Sequence, residues 1–253
     1  MKIIAMVSAC GGVGKTTLVA SQAALLSRRQ IPVAALEMNR QNVLGSFLKL
    51  PDRSLSGLLA HTQDGLAAWS RATHRNEEGI DLVPFGQVDM ASATAFDAML
   101  ASDPDWLASQ LQKIDLAENG VVLIDTAGLP DIKTAQAIRC ADLVLCVTRP
   151  EPVANASLAQ FFKILRADCR ELKIVVNGVS PARPLHYDML TMLRARVGID
   201  TLLPMRIHLD DAVPESYARG AYCFDVAPHS QAAHDLQGLA NWLAHWAGTG
   251  EER

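Results

Sequence analysis

Eight consecutive residues, Cys10-Gly11-Gly12-Val13-Gly14-Lys15-Thr16-Thr17, concentrate more chemistry than any other stretch of the chain. Glycines let backbone N–H groups turn inward at close range, because no Cβ stands between the main chain and an anion. A lysine and two hydroxyl side chains follow at once. That combination cradles a polyphosphate. Gly11, Gly12, Val13 and Gly14 supply amide donors, Lys15 reaches the β- and γ-phosphates, and the Thr16 hydroxyl ligates Mg2+. Thr17 is placed to add a contact to the α-phosphate. The motif usually opens with glycine where this chain has Ala9, a small replacement that the loop should tolerate.

A second constellation closes the apolar run Val121-Val122-Leu123-Ile124 with Asp125-Thr126-Ala127-Gly128. A carboxylate at the end of a buried strand is costly unless it meets a cation or a hydrogen-bond donor. Beside a phosphate cradle, Asp125 is expected to hold Mg2+, generally through water. Gly128 is placed to sense the γ-phosphate through its backbone N–H and to move when that group leaves. The plainer alternative is an Asp125 that only caps the following turn.

These residues need a strand ahead of the loop and a helix behind it, with that helix turning its positive N-terminal end to the phosphates. The sequence predicts both. Strands are expected near 2–8, 33–37, 80–85, 120–125, 142–148, 172–177 and 202–206. Helices are expected near 15–29, 54–70, 104–115, 131–139, 153–166, 184–197, 211–219 and 231–247. Short β-branched runs alternating with longer helical stretches define an α/β fold, a mainly parallel central sheet with helices on both faces. Residues 1–247 are expected to form one domain, and 248–253 a polar tail. Residues 38–80 and 86–103 read as the least regular segments.

Composition narrows the function. The 253 residues are 49% hydrophobic with a formal net charge of −4, which supplies no basic footprint for nucleic acid. Five cysteines without CxxC spacing read as reduced thiols in the cytoplasm. Val7-Ser8-Ala9-Cys10 resembles a lipoprotein cleavage box, but the apolar run before it is shorter than the roughly 7–15 residues a signal needs. The scattered histidines lack metal-pair spacing. The final helix carries Leu236, Leu239, Leu243 and Trp246 on one face, and without a Lys/Arg-rich opposite face it is expected to pack on the core instead of lying on a membrane.

The loop resembles the deviant P-loop of the MinD/ParA family of P-loop NTPases, whose members carry lysine at the position of Cys10. The similarity runs on through Leu82-Val83-Pro84-Phe85-Gly86, Asp125-Thr126-Ala127-Gly128, Ala141 to Glu151 and Val175-Val176-Asn177. A narrower likeness, in Leu202 to Ala212 and Leu239-Ala240-Asn241-Trp242, points to the cellulose-biosynthesis BcsQ branch. The resemblance implies that Asn177 hydrogen-bonds adenine, that backbone and side chains around Pro204 to Asp210, with Pro204, Arg206 and Asp210 named among them, close over the base and ribose, and that ATP and Mg2+ are the cofactors. It also implies a nucleotide-dependent homodimer, a cytoplasmic protein recruited by partners to the inner membrane face or a cell pole, and a cellulose synthase complex or its accessory subunits as partner.

The chain departs from the family in two places. Cys10 has neither the length nor the charge of the lysine that reaches a partner's nucleotide. Where relatives have D-x-D in the first switch, this chain has Glu37-Met38-Asn39. Asn39 can hydrogen-bond an attacking water but cannot take its proton. Binding is therefore expected to be intact and ATPase activity slow or residual. Two other functions fit the fold: a ParA- or flagellar-number-type positioning ATPase, and an ATP-dependent biosynthetic enzyme, for which no second acid–base constellation is visible.

Overall fold

The computed structural model describes residues 1–50, 57–61, 71–87 and 89–248. Eight strands are described: β1 (Lys2–Ser8), β2 (Val33–Glu37), β3 (His74–Arg75), β4 (Asp81–Val83), β5 (Val121–Gly128), β6 (Leu143–Thr148), β7 (Leu172–Val179) and β8 (Leu202–His208). They form one sheet in the order β3-β4-β2-β5-β1-β6-β7-β8, parallel throughout except for the antiparallel β3–β4 pair. β1 lies between β5 and β6, where the crossover from β1 to β2 and the crossover from β5 to β6 run in opposite directions. In such sheets ligands bind outside the carboxyl ends of the strands at that reversal.

Strand alternation sends neighbouring side chains to two different cores. One core holds Ile4, Met6, Val121 and Leu123 against α1 (Lys15–Ser27) and the long C-terminal helix Gln231–Trp246. The other holds Ala5, Val7, Val122 and Ile124 against helices that include α3 (Met90–Ser102), α4 (Trp106–Leu111), α5 (Ile132–Cys140), α6 (Pro152–Asp168) and α7 (Pro184–Val197). The remaining helices are α2 (Leu44–Phe47), α8 (Ala212–Ala218) and α9 (Cys223–Val226), which makes the C-terminal helix α10. As expected, α10 packs on the core, burying Leu236, Leu239 and Leu243. No helix among the described residues is long and apolar enough to cross a membrane.

The short elements β3, α2 and α9 are not among those expected, and two longer segments also differ from expectation. The stretch read as irregular contains α3, thirteen residues long, with the Asp89 side chain accepting from Ser92 N at its start. Its small residues hide the pattern, but Ala93, Phe96 and Leu100 recur at helical spacing and are the ones it buries. Of the helix expected over 54–70, only a 3-10 turn, Leu58–His61, is described; the rest lies outside the described residues. Gly57 and Gly86 cross so closely that a Cβ on Gly57 would stand 2.3 Å from Gly86 N.

An ion-pair cluster ties α3 to the loop after β5. Lys133 in α5 is fully buried, and its Nζ pairs with Asp131 at 2.9 Å and Asp97 at 3.1 Å. Asp97 also receives Arg40, from the segment after β2. Removing a buried partner leaves the other charges under-compensated, although these carboxylates are partly exposed and can regain water. Lys133→Ala should lower unfolding free energy by about 2–4 kcal/mol. Urea denaturation showing an unchanged midpoint would refute this role.

Candidate nucleotide site

β1 ends at Ser8, and the chain turns through Cys10–Gly14 before α1 begins at Lys15. Gly14 sits at φ +93, and a Cβ there would fall 2.4 Å from Asn177 Nδ2, so this turn admits only glycine. Lys15 folds back beneath the loop, where its Nζ donates to Ser8 Oγ at 2.6 Å. Ser8 Oγ in turn donates to Cys10 O at 2.7 Å, clamping the start of the loop. The Thr16 hydroxyl donates to Asp125 Oδ2 at 2.7 Å. Gly128 backs onto the loop, its would-be Cβ 3.7 Å from the Cys10 carbonyl carbon.

β2 and β5 pair so that Glu37 stands beside Asp125. On these strands Ala35 and Leu123 face α1, so Glu37 and Asp125, two residues further on, face it too. Both residues are completely buried. Glu37 Oε1 accepts from Val43 N at 2.7 Å and Leu44 N at 3.0 Å. Glu37 Oε2 and Asp125 Oδ1 have no hydrogen-bond partner among the described residues. Burial pushes Asp125 up to about 6, against the pull of Thr16 and Lys15. Burial, opposed by the Leu44 amide and reinforced by the Asp125 charge, pushes Glu37 up to about 8. Burial likewise lowers Lys15, with Asp125 acting against it.

Two orphaned carboxylate oxygens beside a threonine hydroxyl suit a hard, oxygen-seeking cation. Thr16 and Asp125 would hold Mg2+, with Glu37 within the same buried set. Such a cation would reverse the upward shifts, because it favours the ionised carboxylates.

A cavity of about 420 Å3 continues outward from the loop. Gly12, Val13, Gly14 and Thr17 form its floor, and Asn177, His208 and Asp210 stand along its wall. Asn177, which lines the cavity, donates from Nδ2 to Val13 O at 2.7 Å and so has its Oδ1 as the remaining acceptor. Asp210 Oδ1 accepts from Ala212 N at 3.0 Å. The structure thus brings Gly11, Gly12, Val13, Gly14, Lys15, Thr16, Thr17, Asp125, Gly128, Asn177 and Asp210 to one edge of the sheet.

Pro204 and Arg206 are not brought there, which corrects the expectation drawn from the resemblance. On edge strand β8, Leu203 and Ile207 face the α10 core while Pro204 and Arg206 project to the opposite face. There they line a separate hollow of about 230 Å3 with Tyr187, Leu190 and Arg194 of α7. Asn39 lies two residues past Glu37, where its Oδ1 accepts from Gln41 N at 3.2 Å in a local turn.

Two further wall residues are His208, inside the Pro204–Asp210 stretch but not singled out there, and Arg149. His208 donates its backbone N–H to Asp235 Oδ2 at 2.8 Å and holds the same oxygen through Nδ1, also at 2.8 Å. Arg149 also lines the cavity. A lone histidine and a loop arginine carry no spacing signal, so only the folded chain discloses them.

This sheet order, with its loop-to-helix turn and a buried Asp on the neighbouring strand, defines a P-loop ATPase fold of the MinD/ParA type. The MinD protein of Pyrococcus horikoshii, whose structure was solved with Mg-ADP, superposes with a TM-score of 0.75, at 22% identity over all of this chain and 99% of that one. A family model described as cellulose biosynthesis protein BcsQ matches residues 1–244, and the chain belongs to that family. It is 26% identical over 254 residues to the BcsQ protein of Salmonella typhimurium, covering 98% of this chain and 96% of the relative. It is also 25% identical over 248 residues to a virulence-plasmid ParA family protein of Chlamydia psittaci, covering 94% and 93%.

The raised Glu37 carboxyl has a consequence for stability. Between its ordinary value of 4.5 and about 8, the folded protein keeps a proton that the unfolded chain releases. Stability therefore falls as pH rises through that window and levels off above it. Glu37→Gln preserves the acceptor for Val43 and Leu44 and has no proton to lose. Urea unfolding at pH values from about 5 to about 8.5 should show a smaller decline in Glu37→Gln than in the wild type. Equal declines would contradict the burial of an unpaired Glu37.

Proposed function

We propose that this protein is a Mg-ATP-binding switch that assembles or localises a bacterial cellulose synthase complex, acting as a nucleotide-dependent dimer with slow hydrolysis. The observation that carries the nucleotide part is the Thr16–Asp125 pair at 2.7 Å beneath a loop that also buries Lys15. The Mg-ADP held by the MinD relative supports the same ligand class. With its Nδ2 committed to Val13, Asn177 offers the cavity an acceptor, which suits the 6-amino group of adenine and repels the 6-oxo group of guanine. Membership of the BcsQ family supports the cellulose assignment.

Lys15→Ala should abolish high-affinity Mg-ATP binding with little loss of fold, since the lost contacts are charge-assisted ones to the ligand. Calorimetry that finds unchanged affinity would remove the nucleotide assignment. Deleting the gene in its native host should reduce secreted cellulose, and normal output would remove the assembly role.

The hydrolytic part rests on Asn39, which supplies no anionic base. Asn39→Asp should raise turnover, by less than the roughly 10²–10⁴-fold that general-base assistance can give. A brisk wild-type ATPase would count against this reading, as would a mutant without improvement. The dimer rests on the family and on Cys10, which is uncharged and half-buried beside the loop. Cys10→Lys should tighten ATP-promoted dimerisation by about one to two decades for each charge-assisted hydrogen bond it adds across the interface. Sedimentation in which both proteins stay monomeric with ATP would overturn the dimer.

A further inference from the structure

Arg149 is a cation in the nucleotide cavity that the loop and the sheet edge do not use. It follows β6, and its guanidinium lies against Gly178, where a Cβ would stand 3.4 Å from both Nε and Nη2. Gly178 itself adopts φ +75 at an irregularity in β7, so the bare backbone both takes that conformation and leaves room for the flat group. Arg149 shares the cavity with Gly12, Val13, Gly14, Thr17 and Asn177, so it flanks the outer end of the loop and not its inner pocket. Lys15, the loop's own cation, is committed deeper, at Ser8. Cys10 lies near enough for the Arg149 charge to act on its thiol, but it carries no charge to share the task.

The present partner of Arg149 holds it weakly. Nε stands 3.1 Å from Glu151 Oε1, with the two side chains 31% and 46% exposed. The contact is too poorly aligned to count as a hydrogen bond, and Nε is buried without one among the described residues. An exposed, misaligned ion pair contributes little. A phosphate oxygen offered from inside the cavity would meet a planar donor set that is only loosely engaged.

We propose that Arg149 contacts the bound nucleotide at its α-phosphate, exchanging Glu151 for the ligand. This role rests on the nucleotide-binding reading above and deepens it. Thr17, which the sequence suggests for the α-phosphate, lines the same cavity as Arg149. A contact there serves di- and triphosphates alike, unlike the γ-phosphate contacts of Lys15 and Gly128. Glu151 then acts as a competitor that occupies the guanidinium while the site waits for a nucleotide.

Calorimetry on the full chain with Mg-ATP and Mg-ADP tests this, with urea unfolding without nucleotide as the control for folding. Arg149→Gln should weaken both ligands by roughly ten- to a hundredfold, the loss expected for a charge-assisted contact. Arg149→Lys should fall between, because it keeps the charge but not the planar fork. Glu151→Gln should tighten both ligands by up to about fivefold, the value of the exposed pair it removes. A wild type that binds neither nucleotide would remove the site assignment itself. A wild type that binds both, with Arg149→Gln binding them equally well, would overturn only the role of Arg149. A loss confined to ATP would place the guanidinium at the γ-phosphate and overturn the α-phosphate assignment. Weaker binding by Glu151→Gln would overturn the exchange.

Discussion

Charge burial at the carboxyl edge of the sheet is the constraint on which the rest of this structure depends. Lys15, Asp125 and Glu37 are withdrawn from water within one small volume. Taking such groups into a low-dielectric interior costs several kcal/mol per ion unless partners compensate or, as at Glu37 below a pH of about 8, the carboxyl keeps its proton. Compensation here is incomplete, since one oxygen of each carboxylate has no donor among the described residues. The fold tolerates this because neighbouring strands and α1 are packed on both sides. The result is a site of defined chemistry: two acceptor oxygens, a hydroxyl and a lysine buried at the edge that carries a loop of amide donors.

The strands set that geometry more than the loop does. β5 brings Asp125 under Thr16, and β2 brings Glu37 into register beside it. Because side chains alternate along a strand, a shift of one residue in either would send the carboxylate to the opposite core. The same segments lead outward along the chain. Beyond Glu37 the chain passes Asn39 and Arg40, and beyond Asp125 it passes Gly128 to reach Asp131 and Lys133. Asp97 joins the two routes by accepting both Arg40 and Lys133. A ligand that changes the charge balance at the sheet edge would thus act on both segments through side chains already in contact.

Much of this is legible in the sequence where local chemistry and periodicity agree. The glycines and Lys-Thr of the loop declare the cradle, and the apolar run before Asp125 declares a buried strand. The remainder depends on tertiary placement. Glu37 reads in sequence as a substituted switch residue, and only strand register shows it as a buried neighbour of Asp125. α3 escapes notice because alanines and serines blur an amphipathic pattern, although Asp89 caps it in plain view. Likeness to a family segment assigns Pro204 and Arg206 to the cavity, but β8 alternation turns them away while Asp210, past the strand end, reaches it. Arg149 and the His208–Asp235 pair arise from contacts between distant segments, which spacing cannot report.

If this edge is a Mg-ATP site, the bound nucleotide and metal must relieve its charge strain. The direct measurement is unfolding free energy in urea at a pH of about 8, with and without Mg-ATP, and again with ATP and a chelator. At a ligand concentration about a hundredfold above the dissociation constant, Mg-ATP should stabilise the protein by about 2.7 kcal/mol. Most of that stabilisation should vanish when the metal is removed, because the orphaned carboxylate oxygens then face the triphosphate without a cation. An unfolding curve that does not move with Mg-ATP, or moves equally with chelated ATP, would contradict a metal-dependent nucleotide site at this edge.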